Sequence, residues 1–251
     1  MKFPTSPVAD LQEAKSGDFE IKLIPIKTTA LVSMREAIMT GRRPKTLNFD
    51  PPLMCRFLSQ KDVGTIMSDL PVELRQMKEA VDRLRPQGRV LIGGLGLGIL
   101  TRMVAAKRLV SHVDVVELEQ DVVKLCNPHH KKISIIVADI LSFVQTTPVW
   151  PWKSAFIDTW SGDNEGTWWQ HVFPVRRAIA NRFPMARMDF WAEDIMQGQI
   201  FRALTNGRPH WYYENLPLPM TYAEASFFLS SVGLPKWEEK YGACISTKIG
   251  D

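Results

Sequence analysis

The chain has 251 residues, 45% of them hydrophobic and 23% charged, which suits one large domain, or one domain with a modest extension, and leaves material for a sizeable core. A net charge of +4 and a pI near 9.0 are compatible with nucleic acid or an anionic ligand without demanding either. Three widely spaced cysteines, Cys55, Cys126 and Cys244, form no Cys-x-x-Cys pair and so argue against a disulfide framework and a zinc site.

The first residues, Met-Lys-Phe-Pro-Thr-Ser-Pro, lack the apolar stretch of a signal peptide. No apolar run approaches the roughly 18 residues that a membrane span needs. A soluble, cytoplasmic protein without a membrane partner is therefore expected. Much of the positive excess lies at Arg35, Arg42, Arg43, Lys45, Arg56 and Lys61, which reads as a solvated face.

In chain order, residues 1 to 17 read as a flexible lead-in. From Phe19 the segment Phe-Glu-Ile-Lys-Leu-Ile-Pro-Ile alternates as a strand does, and Pro25 suggests an edge or a strand end. Thr28 to Val32 suits a returning hairpin partner, Ser33 to Met39 a short helix stopped at Gly41, and Arg42 to Pro52 a loop. Asp50-Pro51-Pro52 has a counterpart in amino-group methyltransferases acting on nucleic acid bases. Leu53 stands where that motif has an aromatic residue, and the segment precedes the glycine-rich turn, so a proline-rich loop before a helix is the better reading.

Thr65 to Pro71 reads as a short strand entering a helix that Asp69 can cap. Leu74, Met77, Val81 and Leu84 recur at helical spacing and give that helix a core-facing stripe. The helix ends at Pro86-Gln87-Gly88 and delivers the chain to its most informative stretch. Val90 to Ile92 is a buried strand, Gly93, Gly94, Gly96 and Gly98 make a turn, and a helix follows from about Ile99. Glycine there allows a tight turn and lets a ligand approach the backbone.

Strands and helices then alternate. The expected strands are Val113 to Glu117, Ile133 to Val137, Ser154 to Asp158 and a fifth around Arg187 to Trp191. The expected helices are Asp121 to Cys126, Ile140 to Gln145, Trp168 to Asn181 and Asp194 to Leu204. This alternation implies a parallel sheet with both faces covered, an α/β doubly wound fold. Trp211 to Glu214 and Ala243 to Ile249 suit closing strands, with a helix from Tyr222 to Ser230 between them. The expected division is an N-terminal β-containing extension over residues 1–63 and a Rossmann-like domain over residues 64–251. No internal repeat or low-complexity segment is visible.

In such sheets a ligand lies outside the carboxyl ends of the strands. Gly94, Gly96 and Gly98, then Glu117, Asp139 and Asp158, stand at the ends of four successive strands. Glu117 follows the glycines by about twenty residues, where a nucleoside-binding unit places its acceptor for ribose hydroxyls. Any one carboxylate is as well explained as a helix cap, and Glu119 and Asp121 as first-turn acids. Four strand ends in order are much harder to explain so.

This set resembles the class I S-adenosylmethionine-dependent methyltransferases, most closely their spermidine-synthase-like branch. Gly93-Gly94-Leu95-Gly96-Leu97-Gly98 is similar to the first motif and Val115-Val116-Glu117 to the second, whose acid binds the ribose. Ala138-Asp139-Ile140 resembles the third, in which the acid and the next amide hold the adenine. Ile157-Asp158-Thr159-Trp160 resembles the fourth, which faces the reacting group. Upstream, Ser68-Asp69-Leu70-Pro71-Val72-Glu73 lies where aminopropyltransferases carry an acidic segment before a helix.

The resemblance implies Gly94, Gly96, Gly98, Glu117, Asp139 and Ile140 as cofactor-binding, Asp158 as catalytic, and Asp69, Glu73 and Trp160 as substrate-binding. Trp160 is suited to stack on a planar or cationic acceptor; packing explains it equally well, and explains Trp168 and Trp169 better. The implied activity is methyl transfer from S-adenosylmethionine. The alternatives are aminopropyl transfer from its decarboxylated form, which an acidic slot of Asp69, Glu73, Asp158 and Asp163 would favour, or a non-catalytic nucleoside-binding protein.

The chain departs from the family in three places: Ile92 replaces the acid that often begins the first motif, Val72-Glu73-Leu74 replaces the Tyr-His-Glu of spermidine synthases, and Trp160-Ser161-Gly162 follows Asp158 in place of a proline motif. These bear on a polyamine substrate, not on the cofactor. The glycine spacing is not the Gly-x-Gly-x-x-Gly of dinucleotide-binding units. His129-His130 has no second ligand pair, so no metal is expected, and His171 and His210 suit structural roles. The expected partner is a small-molecule acceptor, with an amine favoured, nucleic acid left open and a homodimer compatible.

Overall fold

The computed structural model describes residues 5–30, 46–148, 151–159, 172–184 and 186–193. The helices expected at 33–39, 194–204 and 222–230, the strands expected at 211–214 and 243–249, and Trp160 lie outside these residues.

The N-terminal part is a four-stranded antiparallel sheet in chain order, β1 (Ala14–Ser16), β2 (Phe19–Ala30), β3 (Thr46–Gln60) and β4 (Gly64–Ser68). Two expectations are corrected here. Thr28 to Ala30 continues β2 instead of returning as a hairpin, and Thr46 to Pro52, expected as loop, begins β3. The prolines are accommodated where pairing is irregular: Leu53 opposes Ile26 and Asn48 opposes Thr28, so Phe49 to Pro52 face a register shift. Missing amide donors do little harm there. β4, at the start of the second expected segment, pairs with β3 and so belongs to this sheet.

The lead-in is also corrected, because it is anchored. Val8 and Leu11 are buried in the core. The guanidinium of buried Arg56 donates from Nε to the Leu11 carbonyl at 2.9 Å and from Nη2 to that of Ala9. Arg102 donates to Asp10 at 2.9 Å. The apolar pair three residues apart gives this segment a face to bury.

Helix α1 (Pro71–Leu84) leads into the second sheet. Its N-cap position is Leu70, not Asp69, and no side chain caps it. Asp69 is buried and instead accepts from the Arg56 backbone amide at 2.6 Å and from Arg56 Nη1 at 3.3 Å. The chain then runs through β5 (Gly88–Gly93), α2 (Ile99–Ala105), β6 (Val110–Glu117), α3 (Gln120–Cys126), β7 (Ile133–Val137), α4 (Ile140–Thr146), β8 (Trp152–Ile157), α5 (Phe173–Arg182) and β9 (Arg187–Phe190). All adjacent strands are parallel and the order is β7-β6-β5-β8-β9, a doubly wound Rossmann-like sheet.

The period of two in the strands sorts their side chains between two cores. Val90, Ile92, Val113, Val115 and Phe156 pack with Met77, Val81 and Leu84 of α1 and with α2 and α3. Leu91, Val116, Ala155 and Ile157 pack on the other face with Ile140 and Val144 of α4 and Val175 and Ile179 of α5. Both faces are thus covered, as the near-continuous apolar runs of β5, β6 and β8 require.

Within the sheet, fully buried Asp114 of β6 links β5, β6 and β8. It accepts from Arg89 Nε at 2.5 Å and Nη2 at 2.8 Å, and from Trp152 Nε1 at 2.7 Å. Asp114→Ala is expected to destabilise the fold by about 3–5 kcal/mol, because it removes a buried carboxylate that a guanidinium and an indole N–H share across three strands. Urea unfolding checks this, and a midpoint like that of the parent would show that water replaces the carboxylate.

Candidate functional site

β5 is where the winding reverses. The chain leaves it for β6 and β7 on one side and returns to β8 on the other. Two connections that diverge cannot fill the space above the seam, so a crevice opens at the carboxyl ends of β5 and β8. A cavity of about 500 Å³ occupies that place.

The turn after β5 forms its floor. Gly94, Gly96 and Gly98 have φ of 88°, 51° and 78°, the left-handed region that glycine enters without strain. Gly94 also lies so close to β8 that a Cβ would collide with the Asp158 carbonyl oxygen. The turn amides are largely committed: Gly94 N donates to the Val116 carbonyl at 2.8 Å, Leu95 N to Glu117 Oε2 at 2.7 Å and Gly98 N to the Leu95 carbonyl at 2.8 Å. Leu97 N donates to Met67 Sδ at 3.3 Å.

Glu117 ends β6 and is 9% exposed. Its second oxygen accepts from Glu119 N at 2.9 Å. Each carboxylate oxygen keeps a further lone pair, since one oxygen can accept two bonds. Asp139 caps α4 by accepting from Ser142 N at 2.8 Å. Ile140, the first residue of that helix, lines the same wall. Asp158 follows β8, and its amide donates to the Gly93 carbonyl at 2.8 Å. Burial first, then the charges of Glu73 and Glu117, push its carboxyl up to about 7.

The roof comes from the other sheet. Phe19, Leu58, Gln60, Ile66 and Met67 all line the cavity. Of the expected site residues, Gly94, Gly96, Glu117, Asp139, Ile140 and Asp158 come together on it, whereas Gly98 does not line it. Glu73 stands in the first turn of α1, accepting from Ser68 N at 2.8 Å and Ser68 Oγ at 2.6 Å. Burial pushes its carboxyl above the ordinary range against those two bonds. Asp69 does not line the cavity; its two oxygens serve Arg56.

Sequence reasoning missed the roof, above all Met67 and Gln60, since nothing local in a short strand says which sheet it will join. The described lining holds four carboxylates, Glu117, Glu119, Asp139 and Asp158, and no lysine, arginine or histidine. Such a cavity suits a cationic ligand rich in hydroxyls and opposes a phosphate. The buried Cys126 behind it is no nucleophile, because burial pushes its thiol up to about 12. Among the described residues no group of side chains is arranged to hold a metal ion, and no helix is long and apolar enough to cross a membrane.

No family model matches the chain, and no curated protein matches its sequence. Among solved structures it is similar to a spermidine synthase in complex with the transition-state analogue AdoDATO, with 14% identity, coverage of 64% of this chain and 64% of that chain, and a TM-score of 0.39. A spermidine synthase from Thermotoga maritima is similar at 14% identity, covering 69% of this chain and 62% of that one, with a TM-score of 0.38. A SAM-dependent methyltransferase from Archaeoglobus fulgidus is similar at 12% identity, covering 45% and 47%, with a TM-score of 0.36. The chain therefore spans less than two thirds of the length of each of these three structures.

Proposed function

We propose that this chain is a transferase that binds S-adenosylmethionine in the crevice between β5 and β8 and moves a methyl group to a small acceptor, with an amine the best-suited class. One observation carries the reading: among the described residues, four carboxylates and no cation surround a glycine turn at the reversal point of the sheet. A sulfonium nucleoside offers such a site a positive charge and two ribose hydroxyls. A dinucleotide would bring a pyrophosphate into an acidic crevice.

In this reading Glu117, fixed by the Leu95 and Glu119 amides, accepts the ribose hydroxyls with its remaining lone pairs. Asp139 and the Ile140 amide hold the adenine. Gly94 and Gly96 line the crevice in a turn that glycine alone makes without strain, Gly94 admitting the Asp158 carbonyl and Gly96 the Met67 sulfur, and Gly98 completes that turn. When bound, S-adenosylmethionine supplies an electrophilic methyl carbon attached to sulfur. Asp158 would orient the acceptor amine and take up its proton on a carboxylate oxygen, a task suited to a carboxyl near 7. Glu73 and Trp160 belong to the acceptor side. Asp69 serves that side by fixing, through Arg56, the junction of β4 and α1 from which Glu73 projects.

The absence of a cation among the described lining residues also supports a second reading, aminopropyl transfer from the decarboxylated nucleoside, whose tail has no carboxylate to place. Calorimetry with S-adenosylmethionine, its decarboxylated form and methylthioadenosine separates the two. For the nucleoside site itself, Glu117→Ala is expected to weaken binding by roughly 2–4 kcal/mol, because the ribose loses charge-assisted partners. Undiminished affinity in a folded Glu117→Ala protein would remove the ribose assignment.

A further inference from the structure

The chain enters the strands of the parallel sheet at their amino ends, opposite the crevice, through residues 85–87, 106–109, 127–132, 147–151 and 183–186. None of these segments contains an aspartate or glutamate. Part of the positive charge there serves the fold. The helices run against the strands and end at this edge, where cations offset the helix dipoles. Lys132 Nζ donates to the Ala105 and Lys107 carbonyls at 3.2 and 3.4 Å, closing α2, and Arg182 donates to those of Val144 and Thr147, closing α4. Arg89 is held by Asp114, and Lys107 lies 3.7 Å from Asp82.

What remains is one exposed cation for each strand. In sheet order these are Lys131 before β7, Arg108 before β6, Arg85 before β5, Lys153 in β8 and Arg187 at the start of β9. Among the described residues none of them makes an ion pair or a side-chain hydrogen bond. Four inter-strand gaps of about 4.8 Å spread them along an edge about 20 Å long. Arg85 and Arg187 open on one concavity. Like charges in such a row repel one another, and a polyanion laid along it relieves the repulsion.

We infer that this edge docks the phosphate backbone of a duplex nucleic acid without reading its sequence. A duplex carries one charge per roughly 1.7 Å of axis, so about twelve pass an edge of that length. Guanidinium groups match phosphate oxygens with two donors each. A single strand is held largely by stacking on aromatic rings, and among the described residues no Phe, Tyr or Trp ring is exposed on this edge. A membrane surface takes up a broad apolar face, whereas Leu109 is the large apolar side chain exposed among these described segments. The edge and the crevice lie at opposite ends of the strands, so the two bind independently.

Fluorescence anisotropy with a labelled DNA duplex of about 20 base pairs tests this. For the wild type, the logarithm of affinity is expected to fall with the logarithm of salt at a slope of about −4, near −0.9 for each phosphate neutralised. Arg85→Gln/Lys153→Gln/Arg187→Gln should flatten that slope by about 3 and lose about a hundredfold in affinity at about 0.1 M salt. Arg108→Gln/Lys131→Gln, at the other end of the row, should flatten it by about 2, which keeps the edge testable if the triple variant misfolds. Lys15→Gln/Lys22→Gln/Lys27→Gln removes the same charge as the triple variant from exposed positions on the other sheet and should stay within about threefold of the wild type. An equal loss in that control overturns the edge, as do edge variants that bind like the wild type. Wild-type protein that ignores the duplex, or prefers a single strand of the same length or phosphatidylserine-containing vesicles, overturns the duplex as its partner.

Discussion

Gly94→Ala is expected to be the most damaging glycine-to-alanine change among the described residues, at about 4 kcal/mol. Two costs add. The residue has φ of 88°, which a side chain tolerates only with strain, and the new methyl would meet the Asp158 carbonyl oxygen. That oxygen belongs to backbone fixed by the bond from Asp158 N to the Gly93 carbonyl, so it cannot retreat without parting β8 from β5. Gly98→Ala is the internal control. Its φ of 78° is similar, but the nearest atoms to its Cβ are at 3.5 and 3.6 Å. Only the strain remains there, about 1–2 kcal/mol. Urea unfolding of both variants reads the difference, and equal losses would show that close approach of the two strands is not what demands glycine at 94.

The second large effect is expected at Asp158. On an amine acceptor found by screening, Asp158→Asn should lower turnover by roughly 10²–10⁴, the usual range for proton transfer by a positioned group, with nucleoside affinity nearly unchanged. The pH profile gives a sharper signature. Since the carboxyl is pushed up to about 7 by burial and by Glu73 and Glu117, wild-type turnover should rise as pH passes through that value and level off above it. The variant should lack that rise.

Stability has the opposite dependence. An acid whose folded pKa is raised favours the native state while protonated. That contribution is full below the ordinary value of 3.8 and is lost as pH climbs to about 7. Asp158→Asn should therefore gain stability relative to the wild type across that window. Normal turnover by Asp158→Asn with an unaltered profile would take Asp158 off the reacting centre.

Much of the floor of the site was legible because it obeys local rules. The glycines after β5 and the acid at the end of β6 are spaced as a βαβ unit demands, and each expected central strand lies at its expected place. The roof was not. Two prolines in Thr46 to Pro52 weigh against a strand, yet a two-stranded ribbon with a register shift has room for them. Asp69 read as a cap because an acid before Pro71 suits one. A buried guanidinium made the stronger claim, and Arg56 is thirteen residues away in sequence. Met67 could not be read at all, since its role depends on two sheets meeting. Local chemistry shows in sequence; the partner supplied by a distant segment does not.

The order β7-β6-β5-β8-β9 has a consequence for how the chain is made. β5 is translated early, and β6 covers one of its edges soon afterwards. Its other edge waits for β8, which begins only at Trp152. Throughout that interval the ribosome carries an apolar strand with a row of unpaired backbone groups, the kind of surface on which nascent chains stick to one another. The seam that later frames the crevice is thus the last part of the central sheet to be sealed on β5. A chaperone able to shield one short strand edge would be most useful while residues 94 to 152 are emerging.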